Sequence, residues 1–204
     1  MTSLRSTTTT PGAQTRARIM EALVDVLSTD GISEFSVQAV ADRANVSHRT
    51  VYRHYPSREA LLEGLTEHLE DPMRASGLPG IPASLDQAVD SIVPLFEFFE
   101  KHAPTLEAMV VVRLALGVEP ARSQERTGAF RELVEQEAPD LPPDEADAYA
   151  MGLRAIASSQ HWYVLTRRLG ITTPRAADVA AQSLRALIGQ IRRRNARERS
   201  KEET

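Results

Sequence analysis

The sequence predicts an all-α protein: an N-terminal three-helix head containing a helix-turn-helix, then a larger helical body, about nine helices in total. Two observations predict it. Apolar residues recur at the i, i+3, i+4, i+7 spacing that gives a helix one buried face, as in Val37, Val40, Ala41 and Ala44. Between such stretches stand helix starts (Ser36, Ser47, Ser57) and stops (Gly31, Asn45, Pro56, Gly117, Gly170). A chain of 204 residues is long enough to bury a substantial core.

Residues 1–14, rich in Ser and Thr and ending near Pro11-Gly12, read as a flexible tail. Residues 15–60 form the head. Its first helix buries Ile19, Leu23, Val26 and Leu27 and stops at Gly31. The second starts at Ser36 and stops at Asn45, one of the few residue types besides glycine that accept a left-handed backbone. Ser47 caps a third helix of about two turns, closed by Pro56, in which Val51 and Tyr55 point inward. Ser57 caps the next, with Leu61, Leu62, Leu65 and Leu69 as its apolar stripe.

The outer face of the short third helix carries His48, Arg49, Tyr52 and Arg53. Guanidinium forks, an imidazole and hydroxyls on a helix narrow enough for a major groove are the chemistry that base edges and phosphates require. From Arg43 to Arg58 there are four arginines and no acid, whereas the whole chain has net charge −4. The window is therefore a local basic patch on an acidic protein. The competing reading is a merely solvated basic helix. For Tyr52 it is a core aromatic, and for His54 a cap on the last carbonyls of the helix.

Ala44-Asn45-Val46-Ser47, Thr50-Val51-Tyr52-Arg53-His54-Tyr55 and Ser57-Arg58-Glu59-Ala60-Leu61-Leu62 together resemble the DNA-binding signature of the tetracycline-repressor (TetR) family, over roughly Arg16 to Leu65. The family usually has Gly where Asn45 stands and often Lys where Arg58 stands. The resemblance implies that Ser47, His48, Arg49, Thr50 and Tyr52 meet bases or nearby phosphates. It places His54 and Arg58 on phosphates and Gln38 at a further contact position. The resemblance also makes Arg5, Arg16 and Arg18 candidates for additional contacts with phosphates or the minor groove, with a disordered tail as the competing reading for Arg5.

Residues 61–204 form the body, which the resemblance makes a ligand-binding and dimerisation domain. Pro72, Gly77, Pro79, Gly80 and Pro82 mark a connecting loop. Helices are expected over Leu85 to His102, bent by Pro94, then from about Pro104 to Leu116 and Ala121 to Glu137. Two long helices follow, at about 144–169 and 174–194. Ala176, Ala180, Leu184, Leu187, Ile188 and Ile191 line the second, which belongs either to the monomer's core or to a four-helix interface with its own copy, as the resemblance implies. The Arg192-Arg193-Arg194 run reads as a frayed helix end.

A ligand pocket in the body is again what the resemblance implies. Phe96, Phe99, Met109, Met151, Trp162 and Tyr163 are candidate walls or ordinary core. Arg113, inside an apolar run, either meets an anionic ligand or reaches out to solvent. Gln160, like His161, either orients a ligand or satisfies buried carbonyls.

The absence of cysteine excludes a disulfide framework and thiol catalysis. There is no Walker loop, dinucleotide glycine pattern, nucleophile elbow or HExxH pair, and the five histidines lack metal-ligand spacing. No enzyme activity, cofactor or metal is expected. The tail has no signal-peptide core and no apolar run spans a bilayer, so a cytoplasmic protein is expected. The expected partners are an operator in double-stranded DNA, a second copy of the chain and a small-molecule effector. The expected function is a ligand-released transcriptional repressor, with a constitutive DNA-binding dimer, or a helical carrier or enzyme, as alternatives.

Overall fold

A computed structural model describes residues 11–33, 35–117 and 121–202. Among the described residues there is no strand, and helices make up nearly all of the ordered structure. They form twelve α-helical segments and one π-helical turn, more than the expected number because several predicted helices are broken inside.

The head begins with α1 (Pro11–Thr29). This helix starts within the expected tail, and proline suits its first turn because no N–H is needed there. Arg5 lies outside the described residues. Helix α2 (Val37–Arg43) starts at Ser36, whose hydroxyl accepts from the Ala39 N–H at 3.1 Å. Asn45 takes the left-handed backbone expected of it, at φ 51°, while the Val46 N–H closes on the Ala41 carbonyl at 3.0 Å. Helix α3 (His48–His54) follows, and then α4 (Arg58–His68), capped by Ser57. The expected domain boundary at residue 60 falls inside α4, whose fully buried Leu61 and Leu65 join the core of the head.

Gly64 of α4 sets how closely that helix approaches its neighbours. A Cβ there would lie 2.7 Å from Tyr55 Cε1 and 3.0 Å from Met20 Sδ. Gly64→Ala is expected to destabilise the head by about 1–3 kcal/mol through overpacking. Chemical denaturation reads the loss.

The body contains α5 (Glu70–Ala75), α6 (Leu85–Asp90), α7 (Ile92–Lys101), α8 (Ala103–Leu116), α9 (Ala121–Glu137), α10 (Pro143–Ile156), α11 (Ser159–Tyr163), a π turn (Val164–Arg168) and α12 (Thr173–Glu202). Pro72 does not open the connecting loop as expected: it sits in the first turn of α5, where its missing N–H costs nothing. Pro94 does interrupt its helix. Lacking an N–H and crowding the carbonyl four residues back, it separates α6 from α7 at Ser91.

The long helix expected at 144–169 is broken twice. Ser158 donates to the Ala155 carbonyl at 2.6 Å and accepts from the His161 N–H at 3.1 Å, ending one helix and capping the next. Thr166 then donates to the Trp162 carbonyl at 2.8 Å, and the Leu169 N–H reaches back five residues to Val164 at 3.0 Å, which widens the turn.

The C-terminal arginine run is not a frayed end. Helix α12 continues to Glu202 because Arg192 pairs with Glu137 and Asp86, Arg194 with Glu145 at 2.8 Å and Arg199 with Asp140 at 2.9 Å. Buried Asn195 adds its side-chain oxygen to the Asp140 N–H at 2.8 Å.

At the centre of the body, α7 packs against α12, with Phe96, Phe99 and Trp162 buried between layers. Arg167 stacks over the Trp162 ring at 4.7 Å and pairs with Glu100 at 3.0 Å and Glu107 at 2.6 Å, tying the π turn to α7 and α8. The Thr173 hydroxyl adds a 2.6 Å bond to Glu100. Arg167 first, then Thr173, hold the Glu100 carboxyl below the usual carboxylate range. With its pKa depressed by folding, Glu100 stabilises the protein above the ordinary glutamate pKa of about 4.3 and loses that contribution as pH falls. The melting-temperature gap between wild type and Glu100→Gln should therefore be present at neutral pH and shrink below it.

The head meets the body where α1 and α4 pack against α8, and one continuous apolar core runs through both.

Candidate nucleic-acid interface and body cavity

Helix α3 is held from behind. Val51 is fully buried and Tyr55 nearly so; α3 packs against α2, Tyr55 lies against Gly64 of α4, and the other face of α3 turns outward. The Ser47 hydroxyl accepts from the Thr50 N–H at 3.1 Å and lies 2.8 Å from the Thr50 hydroxyl, so both side chains sit at the N-terminal turn. His48, Arg49 and Arg53 are exposed. Tyr52 is 40 % exposed and meets the His48 ring edge-on at 4.7 Å, which removes the core reading of this tyrosine. No ion pair involves Arg49 or Arg53 among the described residues.

The flanking candidates divide. Arg58, at the start of α4, is exposed with its guanidinium over the Phe35 ring at 4.8 Å, a contact that orients it. Beside it, Glu59 has its carboxyl held below the usual range by its own backbone N–H and the Ser57 hydroxyl. Gln38 is exposed on α2 but donates to Asp42 at 2.7 Å.

His54 stands apart, half-buried with Nε2 shut off from solvent. Burial, then Arg53 and Arg16, push its pKa down, favouring a neutral ring. Arg43 leaves the basic window altogether by pairing with Asp25 and Asp30. Arg16 is held by the Tyr55 phenol at 3.1 Å and Glu67 at 2.6 Å, whereas Arg18 is exposed. The four-arginine sequence window thus becomes a three-arginine surface of Arg49, Arg53 and Arg58.

A cavity of about 360 Å³ lies in the body beneath α4. Of the sequence candidates, Phe99, Met109 and Arg113 line it. Phe96 and Trp162 are fully buried in the core, Met151 is 55 % exposed on α10, and Gln160 and Tyr163 are half-buried away from the lining. Arg113 is half-buried and donates to the Thr66 hydroxyl on α4 at 3.2 Å, rather than reaching out to solvent.

Arg154 and Arg126 also line the cavity, and the sequence reading missed both. A signal for Arg154 was present. It lies on the inward stripe of Ala150, Leu153 and Ala157, an arginine where the helical period calls for an apolar side chain. No group of three or more His, Cys, Asp or Glu side chains is placed to hold a metal among the described residues. No helix of the described residues is long and apolar enough to cross a membrane.

Residues 19–65 match the family described as "Bacterial regulatory proteins, tetR family". Over 168 residues the chain is 28 % identical to the nucleoid occlusion factor SlmA of Photobacterium profundum, covering 73 % of this chain and 83 % of that one. Over 105 residues it is 32 % identical to the HTH-type transcriptional regulator UidR of Escherichia coli, covering 49 % of this chain and 53 % of UidR, so it matches about half of that relative. In fold it is similar to a Rhodococcus sp. protein assigned to the TetR-family transcriptional regulators, with a TM-score of 0.66 at 19 % identity, covering 86 % of this chain and 99 % of that one. Helix α3, capped by Ser47 and locked inward through Val51, lies within residues 19–65, the segment that is similar to the tetR family of bacterial regulatory proteins.

Proposed function

We propose that the chain is a transcriptional repressor that binds a palindromic operator as a homodimer and is released by a small-molecule effector. The observation that carries this reading is the outer face of α3: Ser47, His48, Arg49 and Tyr52 are exposed, with half-buried Thr50 beside Ser47, on a helix locked from behind. Arg58 and Gln38 flank it as candidate backbone contacts, while the buried Nε2 of His54 favours a supporting role for that ring.

A single two-turn helix discriminates weakly, whereas a twofold pair reads two half-sites at a fixed spacing. Support for the pair comes from α10 and α12. Ala148, Met151 and Ala155 are exposed on α10, and Gln182, Ala186 and Gln190 are exposed on α12 beside half-buried Val179, Ser183 and Leu187. This stripe carries no charged side chain. The two helices approach closely where Gly152 faces Leu187, with 3.2 Å left for a Cβ. Ala186→Glu, at an exposed position that spares the core, is expected to give a monomer by analytical ultracentrifugation while the wild type sediments as a dimer.

Release needs an effector that binds one state better than the other. The cavity supports this, since Thr66 in its wall belongs to the same helix that begins with Arg58 and packs through Gly64 against Tyr55. The second reading is a DNA-binding dimer that responds to no effector. Selection from random duplexes, followed by a compound screen for release, tests the proposal. Inverted half-sites about one helical turn apart, or a multiple of it, are expected. Unpaired half-sites at unrelated spacings would contradict the dimer, and a diverse library without a releasing compound would favour the second reading.

A further inference from the structure

We infer that the body cavity takes a small neutral aromatic compound of one or two fused rings, packed against the phenyl rings of Phe98 and Phe99 and the thioethers of Met73 and Met109. This rests on the effector reading above and names the class of ligand.

The charged side chains of the cavity wall are already served by the protein. Arg113 donates to the Thr66 hydroxyl at 3.2 Å, and that hydroxyl lies 3.7 Å from Met109 Sδ. Arg154 donates to buried Ser123 at 3.0 Å, and Arg126 donates to the Gly80 carbonyl at 3.1 Å. Each of these three arginines, and Glu70 on the same wall, takes part in a further interaction within the protein. Glu125 is exposed at the rim, where water solvates it. A carboxylate or ammonium entering the cavity would shed its hydration with no counter-charge held in reserve, a cost that a neutral molecule does not meet. The wall therefore selects against charge.

What the cavity presents is apolar surface. Leu69, Phe98, Phe99, Leu106 and Met109 are buried side chains on its wall, with half-buried Met73 beside them. The Phe98 and Phe99 rings stand at 66° with centroids 6.4 Å apart, so a third ring can stack offset on one and meet the other edge-on. Sulfur beside a ring adds a favourable contact that a saturated ligand does not gain. Ile81, 47 % exposed next to Gly80, leaves at the cavity wall an apolar side chain that such a ligand would cover.

A volume of about 360 Å³ admits on the order of a dozen non-hydrogen atoms, at the roughly 30 Å³ that a water occupies in the liquid. One or two fused rings fit, and long acyl chains do not. A ligand seated there also touches Leu69, the residue that joins α4 to α5, and so reaches the end of the helix that begins with Arg58.

Calorimetric titration of the full chain with 2-naphthol tests the inference, beside 2-naphthoate as the anion, 2-naphthylmethylamine as the cation and decahydro-2-naphthol as the saturated counterpart. One molecule of 2-naphthol per chain should bind, about tenfold or more tightly than either charged compound and about threefold or more tightly than the saturated alcohol. Phe98→Leu, which removes a ring at similar volume, should bring 2-naphthol and the saturated alcohol to within about twofold of each other, with unchanged circular dichroism. Equal or tighter binding of either charged compound, equal or tighter binding of the saturated alcohol, or no 2-naphthol binding up to the order of millimolar would each overturn it. So would an unchanged ring preference in Phe98→Leu. The four-compound comparison on the wild type decides the matter even if the variant fails to fold. A charged or aliphatic compound that releases the protein from DNA would defeat the aromatic class and leave the effector reading standing. Binding of 2-naphthol that leaves DNA affinity unchanged would support the ligand class and defeat the effector role.

Discussion

Arg49→Ala is expected to weaken binding to the preferred duplex by about thirtyfold or more and to relax the base preference at one position of each half-site. Arg49 stands exposed on the outer face of α3, near a helix N-terminus fixed by the Ser47 cap, with no ion pair among the described residues. A bidentate arginine contact to a base edge contributes about 1–3 kcal/mol of discrimination. A dimer makes the contact twice, so the substitution costs about 2–6 kcal/mol, and about 1.4 kcal/mol is a factor of ten. Thr50→Ala should shift preference as well, with a smaller effect, because its hydroxyl is already 2.8 Å from Ser47 Oγ. Arg58→Ala should behave differently. A phosphate contact carries no sequence information, so affinity should fall on all duplexes and the salt slope should become shallower by about 0.9 for each phosphate no longer neutralised. Anisotropy titrations on matched and mismatched duplexes separate the two patterns.

Trp162→Ala is expected to destabilise the body by about 3–5 kcal/mol, the range for deleting a large aromatic from a packed core. The side chain is fully buried, 6.0 Å from the Phe99 ring and covered by the Arg167 guanidinium at 4.7 Å. Its removal opens a void where the π turn, α7 and α8 are tied together, and leaves Arg167 without the surface it stacks on. For a chain of this size each kcal/mol shifts the melting temperature by about 2–4 °C, so a drop of roughly 6–20 °C is expected. A destabilisation below about 1 kcal/mol by denaturant titration would place the residue outside the core and contradict this packing.

The head was legible in the sequence because its signals are local. Ser36, Ser47 and Ser57 each cap the helix that their spacing assigns, and Asn45 takes the turn. Val51 and Tyr55 face inward because four residues make about one helical turn. What escaped was set by residues distant in sequence. Arg43 reads as part of a basic window until α1 brings Asp25 and Asp30 against it. Arg192, Arg194 and Arg199 read as a loose end until Asp86, Glu137, Glu145 and Asp140 are placed beside them.

The body was harder because a polar side chain can act within its own helix or across to another. Ser158 and Thr166 divert backbone hydrogen bonds and break a helix whose apolar pattern runs on without interruption. The cavity shows the same limit. Phe96, Phe99 and Trp162 are equally aromatic in sequence, but only Phe99 reaches the cavity, since helix packing rather than residue type decides which aromatic borders an empty space.

The central proposal is a paired, switchable reader of DNA, and its reading half is tested most directly by anisotropy titration of the full chain on its selected duplex and on a scrambled one, at two salt concentrations. Binding to the selected duplex should be tighter by about 10³ or more and should fall steeply with salt, as several phosphate contacts require. Equal affinity for the two duplexes, or binding indifferent to salt, would contradict the assignment of α3 as a sequence-reading helix.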